Sequence, residues 1–70
     1  MAFIVVEIQT AQDGSVGTLI NSYDSRKNAE SRYHQILAAA AISELPVHAA
    51  MLMTEHGKPI KYESYDHEEE

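Results

Sequence analysis

The sequence predicts an α+β fold with the element order ββαββ: a four-stranded, mainly antiparallel sheet carrying one helix on a face. Two apolar-rich runs flank Asp13-Gly14, and two more flank Glu55-His56-Gly57-Lys58, so each pair reads as a hairpin with glycine in its turn. Between the hairpins, one segment repeats apolar residues at helical spacing. Seventy residues allow one domain, assigned to residues 1–66, with residues 67–70 as an acidic tail.

The first strand is expected over residues 3–10. Phe3, Val5 and Glu7 point one way and Ile4, Val6 and Ile8 the other. The Ile4, Val6, Ile8 set is uniformly apolar, so this face is expected to meet the helix, with Glu7 on the polar side of the sheet. The second strand runs from about Val16 to Tyr23, with Leu19 and Tyr23 on one face and Val16 and Ile20 on the other. Asp24 and Ser25 both suit a helix N-cap. The helix is placed from Ser25 or Arg26 to about Ile42, with Ala29, Tyr33, Ile36, Leu37 and Ala40 as its core stripe. Pro46 stops it, because the residue before a proline avoids helical geometry. In the third strand, Val47–Thr54, both residue sets are largely apolar, which predicts burial on two sides. The last, about Pro59 to Tyr65, carries charges and a leading proline that suit an edge.

The helix loses its polar face over Ile36–Ile42, where four alanines are consecutive. A chain of this size has too little mass to bury a helix all round. A homo-oligomer, dimer or higher, is therefore expected, with Leu37, Ala38, Ala39, Ala41 and Ile42 at its interface and Met51, Met53 or Phe3 contributing from the sheet. Oligomerisation also supplies the stability that small domains otherwise draw from disulfides or metals; cysteine is absent.

A net charge of −6 argues against nucleic acid as a partner, since phosphate recognition needs cationic surface. The apolar run 36–42 is far short of the roughly 20 residues that span a membrane. Residues 3–6 lack the charged flank of a signal peptide, so a cytoplasmic protein is expected. His67 and the three glutamates after it have no apolar anchor and read as a mobile, solubilising tail.

Chemistry-bearing motifs are weak. The four histidines (His34, His48, His56, His67) form no ligand pair; the nearest two lie 8 residues apart, so no metal is assigned. No activated nucleophile or buried carboxylate pair is legible, and neither catalytic residue nor cofactor is assigned. The helix start is more suggestive. Arg26 and Lys27 sit where the helix dipole favours anions, beside Ser25 and just after Tyr23, whose ring could stack on a base or sugar. Tyr23, Ser25, Arg26 and Lys27 are the candidate contacts for a small anionic ligand, with His34 and His48 in second place.

Val6-Glu7-Ile8-Gln9-Thr10 leading into Asp13-Gly14, then Ala29-Glu30, Tyr33-His34, the Ala38–Ala41 block, Pro46-Val47-His48 and Ser64-Tyr65-Asp66-His67-Glu68 together resemble a family of short acidic proteins of gut bacteria and their phages. The resemblance covers nearly the whole chain. It implies a phage or prophage origin, in a host bacterial cell, and carries over no catalytic residue. The function expected is a non-catalytic oligomeric binding protein that engages a host protein or sequesters a small anionic, nucleotide-like ligand. The alternative is a structural accessory of virion assembly, distinguished by a gene among head or tail genes and by presence in purified particles.

Overall fold

The computed structural model describes residues 2–67. Strands β1 (Phe3–Thr10) and β2 (Val16–Tyr23), helix α1 (Arg26–Ala41), and strands β3 (Val47–Thr54) and β4 (Pro59–Asp66) follow in that order. They form one antiparallel sheet, β2-β1-β3-β4, with α1 across one face, the α+β architecture expected from the sequence. The expected boundaries hold to within a residue or so, because turns and caps mark them.

Both hairpin turns are built alike. Gly14 N–H donates to Ala11 O (3.0 Å) and Ala11 N–H to Ser15 O (2.9 Å); Gly57 N–H donates to Thr54 O (2.9 Å) and Thr54 N–H to Lys58 O (2.9 Å). Each glycine has a positive φ, +89° and +84°, which an L side chain rarely adopts. Asp13 Oδ1 accepts from Ser15 N–H and Oγ–H (2.9 and 2.7 Å), and this holds its carboxyl below the ordinary range. Thr54 Oγ1 does comparable work in the second turn, accepting from the N–H groups of His56 and Lys58.

Ser25 caps α1, its hydroxyl accepting from Asn28 N–H at 3.5 Å. Ala29, Tyr33, Ile36 and Ala40 are buried against the sheet and Leu37 packs at their margin, so the expected stripe is the real one. Beneath them lie Val5, Ala50 and Leu52. A bulge opposite Leu52 and Met53 admits an extra residue in β4, and Ile60 packs against this core.

The covered face of β1 is the reverse of the expectation. Val5 and Glu7 are buried under the helix, while Ile4, Val6 and Ile8 lie on the other side, only half-buried. Two constraints outweigh the apolar count. β2 and β3 both run antiparallel to β1 and hence parallel to each other, so β2–α1–β3 is a crossover connection that skips β1. Such crossovers are right-handed in nearly all sheets, so hand and register choose the covered face. The burial of Glu7 that follows is tolerable because partners wait for it. β3 is a central strand, but not buried on two sides: His48, Ala50 and Leu52 are buried, whereas Val47, Ala49, Met51 and Met53 are half-buried on the open face.

Candidate functional site

The open face is the first candidate. The strand registers place Ile4, Val6 and Ile8 of β1 beside Ile20 and Val16 of β2 on one flank, and beside Ala49, Met51 and Met53 of β3 on the other. Tyr62 and Ser64 of β4 complete the row. A solvated sheet face normally alternates polar residues outward. Here Thr18, Ser22 and Ser64 are neutral, and among the described strand positions of this face the charged one is Asp66, at the end of edge strand β4. Val16, Ile20 and Tyr62 are 63%, 65% and 73% exposed. Ile8, Ala49, Ala50, Met51, Tyr62, Glu63 and Ser64 line a shallow depression of about 150 Å³.

A second candidate is buried on the helix side. Glu7 is 8% exposed and His48 4%. Glu7 Oε2 lies 2.7 Å from His48 Nε2 and accepts from Gln9 Nε2 at 2.8 Å; Arg32 Nη2 reaches Oε1 at 3.7 Å from the helix. In the register, His48 stands opposite Gln9 and Ala50 opposite Glu7, so carboxylate and imidazole meet on the diagonal over a small alanine. Burial pushes the Glu7 carboxyl up, but the hydrogen bonds from His48 and Gln9 and the charges of His48 and Arg32 outweigh it, and the net shift is downward. An ionised carboxylate only accepts, so His48 Nε2 carries the hydrogen between them. Its Nδ1 is buried and has no hydrogen-bond partner among the described residues. The expectation that Glu7 marks the polar side of the sheet is therefore corrected: it is the centre of an internal polar cluster. That cluster pins the β1–β3 register and ties Arg32 of α1 to it. Covered by the helix, it works as a structural clamp.

The sequence-selected ligand residues do not converge. Tyr23, Ser25, Arg26 and Lys27 adjoin one another at the β2–α1 junction, Tyr23 and Ser25 half-buried and both cations exposed. Arg26 is engaged with Glu30 at 3.5 Å, and Glu30 also takes Lys61 of β4 at 3.4 Å. Burial raises the Glu30 carboxyl, yet Lys61 and Arg26 bring it below the ordinary range overall. His34 is exposed and meets the Tyr33 ring edge-on at 5.5 Å, while His48 belongs to the Glu7 clamp. Neither histidine joins the helix start.

At the other helix end Ala38, Ala39, Ala41 and Ile42 are exposed, Ile42 by 85%, and Leu37 is half-buried. His67 is not part of a free tail. Its Nε2 lies 2.8 Å from Ala40 O, its N–H donates to Pro46 O at 2.8 Å, and its ring stacks on Tyr65. The remaining tail residues, 68–70, lie outside the described residues. Among the described residues no group of three or more metal-ligating side chains is arranged to hold an ion, and no helix is long and apolar enough to cross a membrane.

Sequence reasoning singled out Met51 and Met53 of the open face but not the face itself, and it missed the clamp. The apolar set Ile4, Val6, Ile8 was visible but assigned inward. The signal for the clamp was an acid inside an apolar strand and a histidine inside another, which become partners only once β1 and β3 are neighbours. Comparison with protein-family models, curated proteins and solved structures returned no match.

Proposed function

We propose that this chain is a non-catalytic, oligomeric binding protein of phage or prophage origin that acts by surface contact, with its own copies and with a protein of the host cell. The observation that carries the reading is the open sheet face, where uncharged and mostly apolar side chains stand where a solvated antiparallel sheet would present polar ones. Its depression is too shallow to enclose a metabolite. The sequence resemblance supports the origin. The buried titratable pair, Glu7 and His48, joins β1 to β3, and Arg32 links it to the helix.

A protein surface suits this face better than a small anion does. The helix start remains the place for the anionic-ligand version of the reading, and a thermal shift with a nucleotide panel that vanishes in Lys27→Ala would favour it.

The contact-surface reading is tested by sedimentation of a tagged chain in lysate of the cells that produce it. The wild type should travel in an assembly heavier than one chain. A variant with Ile20→Lys and Tyr62→Lys, both on exposed open-face positions, should travel as a monomer. A wild type that travels as a monomer at native concentration removes the reading.

A further inference from the structure

We infer that the occupant of the open face is a second copy of this chain, seated sheet against sheet about a twofold axis to give a four-layer helix–sheet–sheet–helix dimer. The inference rests on the reading of that face as a contact surface and names its partner.

Self-complementarity is the first argument. A twofold interface brings one patch against itself, so any net charge on the patch meets the same net charge, and a patch of neutral side chains avoids that repulsion. Ile4, Val6, Ile8, Ile20, Met51 and Met53 carry no charge, and Asp66 sits at the end of an edge strand, away from the centre. Among the described residues, the charged side chains other than Asp66 lie on the helix side or in the turns, where a face-to-face dimer leaves them in water. The same acidity disfavours an anionic lipid surface as the occupant.

Size is the second. With strands about 4.8 Å apart and about 3.3 Å of rise per residue, four strands of eight residues present a footprint of about 500 Å². Two opposed footprints come to about 1,000 Å² before side-chain relief is counted, the size at which specific interfaces begin. The exposed alanines near the helix C-terminus offer only a narrow strip by comparison.

Shape is the third. Tyr62 stands 73% exposed at the border of the depression over Ala49 and Ser64. Apposed about a twofold, each tyrosine ring enters the other copy's depression, an aromatic anchor in a small pocket of the kind that dominates interface energetics.

The test is sedimentation equilibrium of the purified full chain between about 1 and 100 µM, the range that brackets small-interface dissociation constants, with circular dichroism as the check on folding. The wild type should have twice the chain mass at the upper end. Tyr62→Ala should weaken the dimer at least tenfold, and Ile20→Lys with Tyr62→Lys should leave a folded monomer. Ala39→Glu, on the exposed helix side, should leave the dimer intact. A wild type that is monomeric throughout overturns the inference. So does a dimer that survives the open-face substitutions but is lost with Ala39→Glu, which would place the interface on the helix. Purified monomer combined with an open-face-dependent heavy assembly in lysate would overturn the second-copy occupant while leaving the host-protein contact of the proposed function standing. Monomer in both settings would remove both.

Discussion

Glu7 and His48 show how one pair of side chains is tied to stability. Each is nearly enclosed, and each answers the other's hydrogen-bonding need at 2.7 Å. Glu7→Ala leaves the imidazole Nε2 buried without an acceptor, at a cost of about 2 kcal/mol. Replacing both residues by leucine should recover most of that, since an apolar pair of similar volume often equals a buried ionic one. Chemical denaturation of the single and double variants measures the difference, and a double variant no more stable than Glu7→Ala would show that the clamp does more than satisfy itself. The Glu7 carboxyl is held below its ordinary value of 4.5 in the folded chain. A lowered folded pKa contributes stability that is present above the unfolded value and is lost as pH falls through the folded one. Melting temperature should therefore decline as pH drops below about 4.5, and Glu7→Gln should flatten that decline. Glu30 is shifted the same way, so part of the decline remains in the variant.

At the scale of the element, the helix is defined by its two ends. Ser25 accepts from Asn28 N–H at the start, and His67, from beyond β4, meets the Ala40 carbonyl at the finish. The first turn contains no acid and the last turn no base, so neither end gains from charged residues of its own against the macrodipole. Ser25→Ala and His67→Ala should each cost about 0.5–1.5 kcal/mol. They act at opposite ends of a sixteen-residue helix and should add when combined. Thermal melts of the two singles and the double variant check this, and a strongly non-additive double would mean that the caps communicate through the helix. For His67 the expected effect is stability of the fold itself, in contrast to the dispensable tail that the sequence suggests.

Across the described residues, charge is concentrated away from the open face, although Leu19 and Ile42 are apolar and exposed on the helix side. Net negative charge opposes the approach of two copies, whereas the face they would share carries almost none. Association should tighten as salt rises from about 20 to about 200 mM, because screening weakens the long-range repulsion and removes no interfacial ion pair. Melting temperature should rise with protein concentration, since the dimer binds the folded chain alone. Calorimetric scans across concentration and salt measure both, and tighter dimers at low salt would show that ion pairs hold the interface.

How far the sequence reaches is plain from particular elements. Asp13-Gly14 and Gly57 place the two hairpins, the Ala29, Tyr33, Ile36, Ala40 spacing places the helix face, and Pro46 ends the helix region, all through interactions between residues close in the chain. Element order and boundaries were legible because local geometry decides them. The open face and the clamp were not. Strand periodicity separates Ile4, Val6, Ile8 from Phe3, Val5, Glu7, but it cannot say which set the helix covers, since that depends on the β2-β1-β3-β4 order and the hand of the crossover. The identity of each residue set was determined by the sequence alone. Which set became core, and so whether Glu7 was buried with a partner and three aliphatic residues were left to the open face, was decided by contacts between strands whose paired residues lie 37 to 51 positions apart.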